Sequence, residues 1–524
     1  MPRDFFHGRH AGLLVPLFSL PSSESWGIGE IGDLPRLGAW MGDAGFSFVQ
    51  LLPINEMADG QNSPYSAMSA MAIDPIFISP SSVPDIGTLG GEELLPSAER
   101  AMLKAARASR SIDYTTVRTV KLFALRAGFD HFHEHEWKQD TNRALRLKAF
   151  IDHASWWIDD YALFRALHAR GEGRAWQEWD APLRHRDPAA LAVARHELAT
   201  EILFHCYLQW LAANQWRQAR EACDIGVFGD FPFMVSGDSA DVWARQHEFR
   251  VDASVGVPPD AFSETGQDWG LPVYRWDAHQ ASGYEWLRQR ARRCADLFDG
   301  FRVDHLVGFY RTFVREPDDT TYFLPPDERE QLAQGERVMK IFQSTGAVII
   351  AEDLGIVPEF VRGSLAHLGV PGLKVFRWER EWETDDHPFT DPAAYPAASV
   401  AISGTHDTET MAEWWDNADP RERECVVLTP QLRQAGITAD EPFSERVRDA
   451  LLASLFSAGS NLLLVPIQDV FGWRDRINTP AVVADDNWSW QLPWRVDALQ
   501  QQPEAIERAK FLATLARATG RSAR

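Results

Sequence analysis

The chain has 524 residues, with 52 Lys and Arg against 75 Asp and Glu, a net charge of −23. That balance leaves no basic face for a polyanion, so neither nucleic acid nor an anionic membrane surface is an expected partner. A neutral or weakly charged substrate is the simplest fit. No apolar run approaches the ~18 residues of a membrane helix. The opening MPRDFFHGRHAGLLVPLF has a short apolar stretch with no small-residue cleavage site behind it, so the cytoplasm is the expected compartment. Cys206, Cys223, Cys294 and Cys425 stand at neither metal-ligand nor redox spacing. Tryptophan is the unusual component, 21 residues against 9 tyrosines. Any single Trp is expected in the core, but a flat apolar face with one polar handle also suits the wall of a groove.

Short apolar runs rich in β-branched residues recur at 11–17, 46–54, 225–234, 300–305, 347–353, 373–378, 399–404 and 461–467. Continuous apolar runs of this length predict parallel strands covered on both faces. Helical patterns separate most of them, as at 285–298 (EWLRQRARRCADLF). Eight β units with intervening helices predict an α/β fold, a single catalytic (β/α)8 TIM barrel over 1–524, with a doubly wound sheet as the rival. Roughly 170 residues separate the second strand from the third, far more than a crossover needs. Within them 97–110, 117–137, 143–172 and 189–223 read as helices. The segment 81–224 is therefore expected to be an inserted, mainly helical subdomain, and it carries Trp156, Trp157, Trp176, Trp179, Trp210 and Trp216. Two loops stand out, 55–75 and 254–277. The second mixes Gly, Pro and aromatics without a period. A loop of that length in a compact enzyme is functional or disordered, and the aromatics favour function as a cover over the substrate.

Barrel strands deliver catalytic side chains at their C-terminal ends. Acidic residues end four of the predicted strands: Asp230 in GDFP, Asp304 in FRVDH, Glu352 in AEDLG and Asp407 in GTHD. Carboxylates converging on one mouth point to acid/base and nucleophilic work on a glycosidic bond. Arg302 and Asp304 are two apart on one strand and so share a face. An adjacent Arg favours the ionised form of a nucleophile, while acidic neighbours raise the pKa of a proton donor. Asp304 is thus expected to attack and Glu352 to protonate. The plainer readings are an N-cap for Asp230, a solvated pair for Glu352 and Asp353, and a turn for His406 and Asp407. A metal site is the other sharp reading, without a zinc-binding HExxH motif or Cys pair to support it.

These motifs resemble the amylomaltases, the 4-α-glucanotransferases or disproportionating enzymes of the α-amylase-like clan. The resemblance runs from about Gly12 to Pro493, excluding much of the helical insertion. Its carriers are SWGIGEIGDL (25–34), SPYSAMSAMAIDP (63–75), GVFGDFPFMVSGDSADVWA (226–244), GVPPDAFSETGQDWGLPVYRWD (256–277), FRVDH (301–305), AEDLG (351–355), VPGLKV (370–375) and GTHD (404–407). FRVDH alone indicates only the wider clan, whereas the 256–277 stretch is far more specific.

The resemblance implies Asp304 as nucleophile, Glu352 as general acid/base and Asp407 as the third carboxylate, supporting the transition state. It implies Arg302 and His406 as contacts to the sugar at the cleavage site, Tyr65 as an aromatic platform and Asp230 as a supporting acid. Gln267 and Trp269 belong to a loop over the acceptor side; Ser63, His305 and Asn478 complete the implied binding residues. Three departures stand out: Leu306-Val307-Gly308 where Phe-Arg-Gly is common, Met68 and Met71 where aromatics are common, and RINTPAVV (476–483) where the pattern is closer to Asn-x-Pro-Gly. They bear on chain-length preference more than on chemistry.

The implied reaction is a retaining double displacement on α-1,4-glucans, with maltooligosaccharides or amylose as donor and acceptor and no metal or organic cofactor. Retention predicts carboxyl groups about 5–5.5 Å apart. An α-1,4-glucan hydrolase of the α-amylase type is the near alternative, and a catalytically dead carbohydrate-binding protein the distant one. Monomer and homodimer both stand.

Overall fold

The computed structural model describes residues 5, 8–58, 60–259, 266–480, 482, 484 and 486–521. Its strands in chain order are β1 (His10–Leu14), β2 (Phe48–Gln50), β3 (Gly226–Phe231), β4 (Phe249–Val257), β5 (Gln267–Tyr274), β6 (Gly300–Val303), β7 (Thr312–Arg315), β8 (Thr321–Leu324), β9 (Val348–Ala351), β10 (Gly372–Val375), β11 (Ser399–Ile402) and β12 (Leu462–Pro466). Eight of them, β1, β2, β3, β6, β9, β10, β11 and β12, close into a parallel barrel in that order. Each expected strand has its counterpart. The signal was readable because these strands are walled by side chains inside and helices outside, so nearly every position is apolar. Among the described residues, no helix is long and apolar enough to cross a membrane.

Between β2 and β3 run the helices Ser97–Ala108, Tyr114–Phe132, Asn142–Arg170, Pro188–Glu197 and Ala199–Ala222. The stretch read as one helix over 189–223 breaks at Leu198, whose ψ of 17° lies off the helical path. Asn142–Arg170 packs along Ala199–Ala222, and their apolar faces join the same hydrophobic core as the barrel. The tryptophans here are mostly core: Trp157, Trp176, Trp179, Trp210 and Trp216 are buried and only Trp156 is exposed.

The 254–277 stretch departs from expectation. It is largely ordered as the hairpin β4–β5, part of an antiparallel sheet in the order β5-β4-β7-β8; residues 260–265 lie outside the described residues. The pairing slips between Arg250 and Val255, where Leu271 and Val273 face them from β5. Pro272 falls in that bulged region, and Gly270, at φ 62°, in a second slip between Val255 and Gly256. Bulges of this kind erase the period-2 pattern that identifies a strand. Gly256 is fixed by close approach, since a Cβ there would lie 2.0 Å from the Gln267 carbonyl oxygen. β7 is short though largely buried, β8 is short and half-exposed, and neither carries an apolar run to read.

Candidate active site

The barrel register sets the site. Asp230 of β3 pairs with Arg302 of β6, Phe231 with Val303, and Val303 with Ala351 of β9. The next residues, Asp304 and Glu352, therefore emerge side by side at the C-terminal rim. The ladder carries one step further to hold them: the Asp304 amide donates to the Phe231 carbonyl at 3.0 Å and the Glu352 amide to that of Val303 at 3.0 Å. His406 and Asp407 follow β11 across the mouth. Tyr65 reaches in from the segment after β2, which is folded on itself by the bridges Asn55–Ile73 and Met57–Ala67.

Arg302 links the carboxylates. Its Nη1 donates to both oxygens of buried Asp230, at 2.9 and 2.7 Å, and its Nη2 lies 3.0 Å from Asp304 Oδ1. Burial alone would lower the Arg302 pKa, but Asp230 and then Asp304 outweigh it and hold the guanidinium well above its ordinary value. The Tyr65 hydroxyl donates to Asp230 Oδ2 at 2.7 Å. Burial pushes the Asp230 carboxyl up, and Arg302 pulls against that. Asp230 is thus a buried anchor for Arg302 rather than a group open to substrate.

Glu352 has a different setting. Burial raises its pKa to about 7, and the Asp304 charge adds to the rise against the pull of Arg302. Its Oε2 accepts the His305 amide at 2.8 Å. His305 itself has a left-handed backbone, φ 42°, an uncommon conformation of the kind found at functional sites. The His305 ring packs edge-on against Trp269, centroids 4.7 Å apart, and against Phe233 at 5.5 Å. Burial holds its imidazole down to about 4, which keeps it neutral near pH 7.

Asp407 goes the other way. Burial works upward, yet the adjacent His406, the Asn478 amide and Arg302 bring its pKa to about 2. His406 Nε2 lies 3.1 Å from Oδ2, and Asn478 Nδ2 donates to Oδ1 at 2.6 Å. The three rim carboxylates therefore sit in three different electrostatic settings, the arrangement that divides acid and base roles among like groups.

Two lobes of a cleft, about 570 and 430 Å³, meet at Arg302, His305, Glu352 and Asp407. Gln267 and Trp269, two apart on β5 and on one face, line both lobes and form a roof over their junction. Ser63, Tyr65, Asp304, His406 and Asn478 line the smaller lobe. Asp230 alone of the expected site residues stays beneath the surface of both. Met68 and Met71 are buried, and Met68 Sδ faces the Arg165 guanidinium at 2.8 Å; neither lines the cleft.

Sequence reasoning did not single out Phe233 and Trp488 in the smaller lobe, or Arg311, Phe313, Trp378 and Arg476 in the larger one. Arg476 sits two residues before Asn478 and donates to the Asp407 carbonyl at 3.1 Å. Phe313 lies in β7, and Phe233 and Trp378 sit just past the ends of β3 and β10; only Trp378 and Trp488 left a trace in the tryptophan excess. Among the described residues no group of three His, Cys, Asp or Glu side chains is placed to hold a metal ion.

Comparison with known proteins places the chain in a family. The family model described as 4-alpha-glucanotransferase matches residues 15–497. A 4-alpha-glucanotransferase of Thermus thermophilus is 33% identical over 533 residues, covering 97% of this chain and 99% of its own. One from Chlamydia pneumoniae is 30% identical over 491 residues, covering 92% and 91%. The solved amylomaltase of Streptococcus agalactiae, in complex with acarbose, superposes with a TM-score of 0.82 at 26% identity, covering 98% of this chain and all of its own. With a family match over residues 15–497 and relatives at 30–33% identity over more than nine-tenths of the chain, the chain belongs to the 4-alpha-glucanotransferase family.

Proposed function

We propose that this protein transfers segments of α-1,4-glucan between maltooligosaccharides by a retaining double displacement, with Asp304 as nucleophile and Glu352 as acid and then base. The observation that carries the reading is the division between those two groups. Asp304 is paired with the Arg302 guanidinium at 3.0 Å. Glu352, beside it on the rim, has a pKa of about 7 and can hold a proton in neutral solution.

In the first step Glu352 gives its proton to the 4-oxygen of the leaving glucan as Asp304 attacks C1. The C1–oxygen bond breaks and a β-glucosyl ester forms on Asp304. In the second step Glu352, now a carboxylate, takes the proton of an acceptor 4-hydroxyl, which attacks C1 and frees Asp304. Asp407, ionised down to about pH 2, supplies negative charge toward the oxocarbenium-like transition state. His406 and Arg302 fix the ring that carries the reacting carbon, and Tyr65 and Ser63 lie along the donor lobe. Transfer wins over hydrolysis when an acceptor sugar replaces water at the intermediate. The Gln267–Trp269 face over the junction is placed to favour that replacement.

The hydrolase alternative is disfavoured by the relatives, which are named as transferases at up to 33% identity. The test is incubation with pure maltotriose followed by chromatography of the products. A ladder of longer and shorter maltooligosaccharides with glucose supports transfer. Maltose and glucose in equal amounts, with nothing longer than the starting sugar, overturn it.

A further inference from the structure

Trp488 is the one tryptophan among the described residues with a left-handed backbone, φ 64°. A bulky side chain is disfavoured there, because Cβ crowds the neighbouring carbonyl. The position is nevertheless firmly tied. Its amide donates to the Ile477 carbonyl at 2.7 Å, and its carbonyl accepts the Tyr114 hydroxyl at 2.8 Å. Tyr114 is buried and opens the helix Tyr114–Phe132, far away in sequence between β2 and β3. The His305 backbone, also left-handed, aims an amide at Glu352. Trp488 aims no backbone group at the reacting centre. What its conformation places in the cleft is the ring.

That ring is half-buried in the smaller lobe, 5.8 Å from the Tyr65 ring and 5.7 Å from that of His406. Tyr65 stacks one face on His406, at 5.2 Å and 18° between planes. Its hydroxyl is committed to Asp230. Tyr65 therefore has at most one face left for a sugar, and the indole adds a second aromatic surface to the same lobe. A flat apolar face suits the CH-bearing face of a glucose ring and asks for no charged partner. Strain that persists at a cleft residue, held by bonds from elsewhere, is the pattern of a functional constraint.

We infer that Trp488 is a sugar-stacking platform of the Tyr65 lobe, held in its strained pose by the Tyr114 hydroxyl, so that the helix Tyr114–Phe132 tunes how tightly this lobe holds an α-glucan. The inference rests on the transferase reading above. It adds a binding residue and a remote positioning residue, Tyr114, to that site.

The test compares four variants for melting temperature and for maltotriose KM and kcat in the transfer reaction. Trp488→Leu keeps apolar volume without a flat face, and its KM rises about tenfold, the loss of one good aromatic contact. Trp488→Phe keeps a flat face and stays within about threefold of wild type on the same basis. Equal KM values for Leu and Phe overturn the platform. Trp488→Gly relieves the backbone and melts above Trp488→Leu although it removes more packing; the reverse order overturns the strain. Tyr114→Phe deletes only the hydroxyl and raises KM about threefold with kcat unchanged, as expected for one lost neutral hydrogen bond. Wild-type KM in that variant overturns the positioning role. Should wild-type enzyme bind maltotriose yet make no ladder, the transferase reading falls by itself. Calorimetric affinity then decides the platform, with about tenfold weaker binding expected of Trp488→Leu and equal binding overturning it.

Discussion

Nη1 of Arg302 donates to both carboxylate oxygens of Asp230, at 2.9 and 2.7 Å, which leaves Nη2 free to face Asp304. Asp230 is buried and also accepts from Tyr65. The pair is therefore a foundation under the proposed nucleophile. Asp230→Ala would leave a buried guanidinium with half its compensation, a change that costs about 3–5 kcal/mol. Thermal unfolding should show a clearly lowered midpoint together with a fall in transfer rate. A variant with wild-type stability would mean that Arg302 is anchored by something other than Asp230.

Glu352 links activity to pH. Its pKa of about 7 means that the proton donor is lost as pH rises through 7, so kcat/KM should fall along an alkaline limb centred there. Stability follows the same group. Below the unfolded value of 4.5 the carboxyl is protonated in both states; between 4.5 and about 7 only the folded state keeps the proton. The stabilisation from that bound proton is lost as pH rises through the window. Glu352→Gln, neutral throughout, should lower kcat by about 10²–10⁴-fold and should melt progressively higher relative to wild type from pH 4.5 to 7.5. A difference in melting temperature that stays flat over that window would refute the raised pKa.

Asn478 is bound to Asp407 Oδ1 at 2.6 Å, with its own amide nitrogen donating to the His406 carbonyl at 3.2 Å. It thus orients the third carboxylate as well as lining the smaller lobe. Asn478→Ala should lower kcat about tenfold, the loss expected of a charge-assisted hydrogen bond, with a smaller change in KM. A rise in KM alone would assign Asn478 to sugar binding instead.

Trp269 packs on His305 and roofs the junction of the lobes. Removing its ring opens the intermediate to water. Trp269→Ala should raise the ratio of hydrolysis to transfer several-fold, on the order of the change expected from one lost water-excluding contact. Reducing-sugar release set against ladder formation measures it, and an unchanged ratio would remove the roof from the account.

The barrel strands were legible in the sequence because burial on both faces leaves an unbroken apolar signature, as at Val348–Ala351. The rim carboxylates were legible because a strand end is a fixed place in that fold. The hairpin was not, since Gly270, Pro272 and the slipped register hide its alternation. Trp488 was invisible for another reason. Its role depends on a backbone conformation and on a hydroxyl 374 positions away in the chain, neither of which leaves a local pattern. The tryptophan excess divides the same way: Trp157 and Trp216 are core, while Trp269, Trp378 and Trp488 line the cleft.

A covalent glucosyl intermediate on Asp304 can be trapped. Glu352→Gln is incubated with an α-maltosyl fluoride, whose leaving group departs without protonation, then denatured, digested and read by mass spectrometry. A maltosyl adduct is expected on the peptide carrying Asp304, absent when Asp304→Asn is added to the variant. An adduct on any other carboxylate, or turnover with inversion at C1 and no adduct, would contradict it.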